Sequence, residues 1–261
     1  MSYRAITVSH DKRGVARITL AQPEKHNALS PTMITELTEV AGRLGADPAV
    51  RVVVLAAEGA TFCAGGDLGW MQAQMAAPRA QRLHEARRLA QMLQALNTLP
   101  KPVIGRVQGN AFGGGVGLLA VCDVAIGVEG ARFGLTEVRL GLIPATISPY
   151  VFARMGEGKA RRVFFSGRLF EAEEAQALDL LAKVVPLEAL ESAVEAEIKP
   201  YLAAAPDALA AAKALTRALG PRIDEATIEE SITRLADCWE NPEAMEGVEA
   251  FFDRRKPGWA L

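Results

Sequence analysis

The sequence has few of the residues from which disulfide frameworks, metal centres and nucleic-acid surfaces are built. Its 261 residues include only three cysteines and three histidines, all far apart in the chain, so we expect neither a disulfide framework nor a metal site. The 29 basic residues face 31 acidic ones, and the resulting net charge of -2 counts against nucleic acid as a partner. An anionic ligand would therefore need a local cluster of basic side chains.

Long hydrophobic runs are also absent from the sequence. The longest, residues 116–128, is interrupted by Asp123 and two glycines, and the first 14 residues carry charges where a signal peptide has its apolar core. With the odd number of cysteines, these features predict a cytoplasmic protein that does not associate with membranes.

The N-terminal part of the sequence alternates strand and helix patterns. β-Branched runs predict strands at residues 15–20, 50–56 and 101–107, the last weakened by Pro102. Between the first two, Ser30 and Pro31 predict the start of a helix, with a capping hydroxyl and a proline at the first helical position. Such alternation is typical of α/β proteins.

After about residue 155 the pattern changes to alanine-rich helices, and no strand of comparable strength is evident. The predicted helices cover residues 171–181, 187–202, 207–219 and 224–239. The sequence thus indicates a sheet-bearing core followed by a helical extension.

Two glycine clusters each follow a predicted strand, at residues 62–68 (FCAGGDL) and 109–117 (GNAFGGGVG). Neither has the spacing of a phosphate-binding or dinucleotide-binding loop, and glycine after a strand often only makes a turn. Two such clusters, each placing peptide N–H groups between a strand and a helix, favour an oxyanion hole assembled from two loops.

These motifs, in this order, resemble the signature of the enoyl-CoA hydratase/isomerase (crotonase) family. The resemblance implies an α/β fold, a crotonase-like spiral of β-β-α repeats over residues 1–200. It also implies a helical C-terminal trimerisation region, residues 201–261, that packs on the core and on a neighbouring subunit of a homotrimer or hexamer. The matching segments are residues 23–29 (PEKHNAL), 62–68, 108–115 (QGNAFGGG), 122–126 (CDVAI), 133–144 (FGLTEVRLGLIP) and 252–257 (FDRRKP).

The resemblance implies an acyl-coenzyme A thioester as substrate, so coenzyme A is part of the substrate and no separate cofactor is expected. The peptide N–H groups of Ala64 and Gly114 would form the oxyanion hole, and Glu137 would be the catalytic carboxylate. Two fixed N–H donors stabilise the enolate that forms when a proton moves beside a thioester. A carboxyl group in an apolar pocket has a raised pKa, which suits proton transfer near neutral pH.

A second set of residues is expected to bind the coenzyme A part of the substrate. Lys25, or the adjacent His26, and the tail cations would bind its phosphates, and Phe252 would lie against the adenine. Asp67, Asp123 and Cys63 are also expected to have structural roles, in turn hydrogen bonds and in packing. The full coenzyme A set is Lys25, Ala28, Gly65, Gly66, Asp67, Leu68, Phe252 and Lys256, and Arg254 and Arg255 complete the tail cations.

The chain departs from the family pattern in two places. Two-carboxylate hydratases of the family have a second glutamate where this sequence has Gly117, and residues 145–150 (ATISPY) replace their glycine-rich stretch. Two reactions therefore remain: hydration of a 2-enoyl thioester with Glu137 as the single acid/base, which we favour, and isomerisation of a 3-enoyl thioester. A non-catalytic binding protein of the same fold is the alternative from another class.

The closest pattern is that of bacterial methylglutaconyl-CoA hydratases of leucine degradation, which residues 137–150 and Gly117 resemble. Their branched glutaconyl-type acyl group carries a distal carboxylate, which needs a cation or N–H donors. The candidates lie on the helical stretch after the first glycine cluster, where a solvated basic helix face is the alternative interpretation. They are Arg82, His84, Arg87 and Arg88.

Overall fold

Two β-sheets organise the part of the chain that the structure, a computed structural model, describes, residues 3–261. In chain order the strands are β1 (Ile6–His10), β2 (Val15–Leu20), β3 (Val52–Ala57), β4 (Thr61–Cys63), β5 (Val103–Val107), β6 (Asn110–Phe112), β7 (Val124–Val128), β8 (Arg132–Gly134), β9 (Leu169–Glu171) and β10 (Lys183–Val185).

Helices cover the outer surfaces of these sheets and form the C-terminal part of the chain. They are α1 (Pro31–Ala46), α2 (Leu68–Ala76), α3 (Arg79–Asn97), α4 (Gly114–Ala120), α5 (Ser148–Phe164), α6 (Ala172–Ala177), α7 (Leu190–Ala203), α8 (Pro206–Leu219), α9 (Glu225–Glu240) and α10 (Pro242–Phe252). Short 3-10 turns lie at Pro23–Lys25, Glu137–Leu140 and Leu187–Ala189.

The chain spirals by placing alternate strands in the two sheets. The larger sheet has the order β1-β2-β3-β5-β7-β10 and the smaller one the order β4-β6-β8-β9. Each of the pairs β3-β4, β5-β6 and β7-β8 therefore contributes one strand to each sheet before the chain enters a helix. The strands of successive repeats pair in parallel, β3 with β5 and β4 with β6. This topology confirms the predicted α/β spiral of β-β-α repeats.

The core lies between the larger sheet and its helices. Every residue of β3 is buried, as is typical of a parallel strand covered on both faces. α1 begins where the sequence predicts, because the Ser30 side chain accepts a hydrogen bond from the Met33 N–H and Pro31 holds the first helical position. Its buried face, which includes Met33, Leu37 and Leu44, packs into this core.

The strand predictions were close, and the helix prediction at residues 171–181 was too long. Strands predicted at 50–56 and 101–107 begin at Val52 and Val103, in the second case directly after Pro102, which has no N–H to donate. The helix ends at Ala177, and the left-handed φ of 63° at Asp179 turns the chain back toward the sheet. After residue 155 the sequence shows no strand of comparable strength, and the two strands found there, β9 and β10, were not predicted because three residues are too few to show a period of two.

The C-terminal helices α8, α9 and α10 follow the predicted boundary at residue 200. α9 packs on α3, where Ile232 forms an apolar cluster with Ala86 and Ala90. On α8, Leu215 and Leu219 remain 58% and 80% exposed, and the proposed contact with a neighbouring subunit remains a prediction. Within residues 3–261, no helix is long and apolar enough to span a membrane.

Candidate active site

The first glycine loop connects β4 to α2 and is held against residues 26–29. Gly65 has a φ of +95°, which glycine adopts without strain, and its carbonyl accepts a 2.7 Å hydrogen bond from the Leu29 N–H. The Asp67 N–H donates to the Leu29 carbonyl at 3.3 Å. The N–H between them, that of Gly66, has no acceptor within the described part of the chain.

The structure corrects one predicted oxyanion donor. The Ala64 N–H donates a 3.0 Å hydrogen bond to the His26 carbonyl, so this donor is already paired. Gly66, two residues later, has the free N–H and is partly exposed. The sequence could not separate the two residues, because both lie in the same glycine cluster and only the pairing with residues 26–29 distinguishes them.

The second glycine loop meets the first. The Gly113 N–H donates to the Gly134 carbonyl at 2.9 Å, and α4 then begins at Gly114, whose N–H has no acceptor among residues 3–261. A Cβ atom placed on Gly65 would lie 3.7 Å from the Gly114 nitrogen. The two loops thus bring the free N–H groups of Gly66 and Gly114 to one place, as an oxyanion hole requires.

The Glu137 carboxylate lies beside these loops. A Cβ atom placed on Gly113 would lie only 2.8 Å from Glu137 Oε1, so a side chain at position 113 would displace the carboxylate. Glu137 Oε2 is buried and has no hydrogen-bond partner within the described residues. Burial raises the pKa of Glu137 from 4.5 to about 7, only partly offset by a hydrogen bond from its own backbone. A carboxyl group in this state can take up and release a proton near neutral pH.

The site has no room for a second carboxylate at position 117. Gly117 is buried on α4, and a Cβ atom there would lie 2.5 Å from Cγ2 and 3.0 Å from Cβ of Ile147. Leu93 closes the same space at 3.7 Å. Ile147 belongs to residues 145–150, so this segment fills the space beside position 117.

An apolar cluster continues the site on the side of the 3-10 turn that carries Glu137. Leu140 lies in that turn, and the Leu142 N–H donates to the Glu137 carbonyl at 3.1 Å. Met71 and Met75 pack on the same cluster and lie on α2, the helix that follows the first glycine loop. The cluster also includes Leu235, Cys238, Trp239, Ala244, Val248 and Phe252.

Comparisons with known proteins agree with this arrangement. A family model described as enoyl-CoA hydratase/isomerase matches residues 10–260. The chain belongs to the enoyl-CoA hydratase/isomerase family. A solved enoyl-CoA hydratase from Shewanella pealeana is 36% identical, with a TM-score of 0.81 over 98% of this chain and 96% of that one.

Two further relatives show how widely the similarity extends. A solved enoyl-CoA hydratase/isomerase from Pseudoalteromonas atlantica has a TM-score of 0.86 at 27% identity, covering 98% of this chain and all of that one. Enoyl-CoA hydratase AKT6-1 of Alternaria alternata is 36% identical over 205 residues, which are 78% of this chain and 67% of that protein. The fold of the enoyl-CoA hydratase/isomerase family is therefore present over nearly the whole chain.

The segment predicted to meet coenzyme A is fixed to the first glycine loop. His26 and Asn27 both have left-handed φ angles, 51° and 53°. The Asn27 amide donates to the carbonyls of Glu58 and Thr61 at 2.8 and 2.9 Å and accepts from the Gln22 N–H, with no exposed surface. Sequence reasoning did not single out Asn27, although asparagine is one of the few residues that tolerates this conformation. Lys25 is exposed, and Ala28 is buried.

The tail cations lie apart from the glycine loops in the described chain. Arg255 pairs with Glu246 through two hydrogen bonds of 2.7 and 2.9 Å, and Lys256 Nζ donates to the Leu261 carbonyl. Arg254 is exposed. Phe252 packs on the apolar cluster that includes Leu140. Their binding of coenzyme A remains a prediction.

Three of the four cations considered for a distal carboxylate are engaged elsewhere. Arg82 donates to the carbonyls of Gln74, Met75 and Trp239, and Arg87 pairs with Glu229 at 2.6 Å. Arg88 pairs with Glu85, and His84 is exposed. The arginines therefore link helices to one another.

Asp67 and Cys63 have the structural roles expected of them, whereas Asp123 links distant segments instead of making a turn hydrogen bond. Asp67 caps α2 by accepting a hydrogen bond from the Trp70 N–H at 2.9 Å, and its backbone N–H pairs with Leu29. Asp123 accepts from the Val103 N–H at 2.7 Å and from Lys213 Nζ at 2.6 Å. Cys63 is fully buried, and burial raises the pKa of its thiol to about 12, which keeps it protonated. Leu68 begins α2 and is half exposed.

Proposed function

We propose that this protein hydrates a 2-enoyl-coenzyme A thioester, with Glu137 as the only acid/base and the N–H groups of Gly66 and Gly114 as oxyanion donors. The observation that carries the proposal is the Glu137 carboxylate, whose Oε2 is buried without a hydrogen-bond partner in the described chain, beside two loops whose N–H groups are free. Electrostatic stabilisation of developing negative charge at such donors is usually the largest contribution to this kind of catalysis.

The proposed reaction balances with one carboxylate. Water adds its oxygen to C3 while Glu137 takes its proton, and the C2=C3 electron pair moves toward the thioester oxygen to form an enolate. The N–H groups of Gly66 and Gly114 stabilise that oxygen. Glu137 then returns its proton to C2, and the 3-hydroxyacyl thioester leaves. A pKa of about 7 suits both transfers, because neither protonation state is strongly favoured.

The second candidate is isomerisation of a 3-enoyl thioester, and the packing at Gly117 favours it. Ile147 fills the space that a second acid would need, so no second carboxylate positions water there. In isomerisation Glu137 removes a proton from C2 and returns it to C4, through the same enolate. This reaction needs only one acid/base.

The acyl group separates two versions of the hydratase proposal. A branched glutaconyl-type group, as in methylglutaconyl-CoA, carries a distal carboxylate that needs a cation. Of the four candidates only His84 lacks a charged or carbonyl partner in the described chain. The apolar cluster that continues the site instead favours an uncharged acyl group. The test below therefore compares 3-methylglutaconyl-CoA, which is charged, with an uncharged enoyl-CoA.

The test follows the absorbance of the conjugated thioester with crotonyl-CoA, 3-methylglutaconyl-CoA and a 3-enoyl-CoA in parallel. A hydratase lowers the absorbance of at least one of the first two, whereas an isomerase raises that of the third alone. Glu137→Gln should reduce turnover by roughly 10²- to 10⁴-fold, and Glu129→Gln, at an exposed glutamate, should not. No change with any substrate, together with retained binding of a coenzyme A ester, would favour the non-catalytic binding protein.

A further inference from the structure

Trp70 lies against Gly66, one of the two free N–H donors. Its ring atoms Cε3 and Cζ3 are 3.8 Å from where a Cβ atom on Gly66 would lie, within van der Waals contact. The ring therefore lies directly beside position 66, with room for no more than a Cβ atom on that side. Trp70 is only partly buried, so the ring borders the site without closing it.

Trp70 is held by one hydrogen bond from its backbone and one from its ring. Its backbone N–H donates to Asp67 Oδ1 at 2.9 Å, which fixes the first turn of α2. Its indole Nε1–H donates to Glu85 Oε2 of α3 at 3.3 Å. A tryptophan held in this way presents a flat apolar surface in one orientation.

Glu85 is an unusual anchor, because it is a carboxylate with only 6% of its surface exposed. Arg88 Nη1 donates to both of its carboxylate oxygens, at 3.1 and 2.9 Å. Arg88 Nη2 in turn donates to the Pro31 carbonyl and to Thr35 Oγ1 of α1, at 3.0 and 2.8 Å. An ion pair with one buried partner, Glu85, and one partly exposed partner, Arg88, contributes little net stability, so its placement behind Trp70 points to a role in fixing geometry.

We propose that Trp70 forms the wall of the acyl site beside Gly66 and that Glu85 and Arg88 are positioning residues that act through its ring. This inference rests on the proposed function. The ring excludes water from one side of the thioester carbonyl, which strengthens the hydrogen bonds from Gly66 and Gly114. It also orients C2 toward Glu137, and small errors in such orientation reduce rates by as much as about 100-fold.

The first arm of the test measures binding without reaction. Butyryl-CoA, a saturated thioester that has no double bond to hydrate, is added while tryptophan fluorescence is recorded. In Trp259→Phe, which removes a tryptophan from the 42% exposed tail position, the emission should still change on binding. In Trp70→Phe that change should be lost or strongly reduced, whereas a merely structural Trp70 would leave it intact.

The second arm measures turnover with the best enoyl-CoA substrate. Trp70→Phe keeps an apolar ring but cannot bond Glu85, so kcat should fall about 3- to 10-fold with KM within about 2-fold. Trp70→Ala should lose about 30- to 100-fold, and Trp259→Phe should match the wild type. Equal thermal unfolding of wild type and Trp70→Phe shows that the loss is local.

Two outcomes separate this inference from the proposed function. If no enoyl-CoA is turned over but butyryl-CoA still changes the Trp70 emission, the proposed reaction fails and the placement of Trp70 holds. If turnover occurs and both Trp70 variants keep kcat and KM within about 2-fold, with no Trp70-dependent change in emission, the inference is overturned.

Discussion

Glu137 carries the chemistry that we propose, and its environment explains why. Its carboxylate faces the Gly113 backbone, and its Oε2 is buried without a partner in the described chain, so the charged form has lost hydration without gaining a counter-ion. A surface glutamate has neither property. The same burial that raises its pKa toward 7 makes the ionised residue unfavourable for folding.

The stability of the protein should therefore depend on Glu137 in a pH-dependent way. Because its pKa is raised in the folded state, the folded protein binds this proton more tightly, and the contribution is lost as pH rises from about 4.5 to about 7. The difference in free energy of unfolding between Glu137→Gln and the wild type should therefore change between low pH and pH above 7. The change should favour Glu137→Gln by on the order of 1–3 kcal/mol. Denaturant unfolding of both proteins at low and high pH measures this change.

Exposed Glu129 provides the control for that experiment. Glu129→Gln should change the free energy of unfolding little and equally across the same pH range. A Glu137→Gln protein whose stability relative to the wild type did not vary with pH would show that the Glu137 carboxyl is not titrating near 7.

At the same scale, the sequence predicted Glu137 and Gly114 from their motifs but chose the wrong donor in the first loop. The Ala64 N–H is paired with the His26 carbonyl and the Gly66 N–H is unpaired in the described chain, and this difference depends on the left-handed turn at His26 and Asn27, far earlier in the chain. Trp70 and Ile147 were missed for a similar reason, since each acts through a contact with a glycine that sequence spacing does not show.

At the scale of elements, α4 and the start of α5 are interlocked at Gly117 and Ile147. Gly117→Ala should destabilise the protein by about 1–3 kcal/mol, because its Cβ would lie 2.5 Å from Ile147 Cγ2 in a buried site. In Gly117→Ala/Ile147→Ala the penalty should be smaller than the sum of the single changes, since the second substitution removes the clashing atom. Thermal or denaturant unfolding of the set measures the coupling.

Gly42→Ala is the matched control, because it is also a helical glycine and a Cβ there would have no neighbour within 4 Å. It should be neutral or stabilising by up to about 1 kcal/mol. The proposed packing would be contradicted if the effects of the Gly117 and Ile147 changes were additive, or if Gly117→Ala did not destabilise the protein. Packing would then no longer exclude an acidic side chain at position 117.

The boundaries of helices and strands were predictable only where the signal in the sequence is local. The Ser30-Pro31 start of α1 and strand β2 were predicted at their observed positions, because capping and β-branched alternation are local signals. β9 and β10 were missed, since each has three residues and owes its conformation to pairing with β8 and β7. The strand conformation of β9 and β10 therefore depends on tertiary pairing and not on local propensity.

At the scale of the whole molecule, the order of motifs along the chain predicted the spiral fold, and the topology of the two sheets confirms it. Ion pairs such as Arg87–Glu229 and Arg88–Glu85 engage cations that the sequence left available for a ligand. Charge counts do not show such pairing. Assembly into a trimer or hexamer remains a prediction, and the exposed leucines of α8 are the surface we expect it to cover.

The most direct test of the account is the dependence of kcat/KM on pH for the wild type and for Glu137→Gln, with the enoyl-CoA that the protein turns over best. Wild-type kcat/KM should rise with pH and level off above about 7, because Glu137 must be ionised to accept the first proton. Glu137→Gln should keep at most about 1% of that activity at every pH. A flat wild-type profile, or a Glu137→Gln protein with near wild-type turnover, would contradict the assignment of Glu137 as the acid/base.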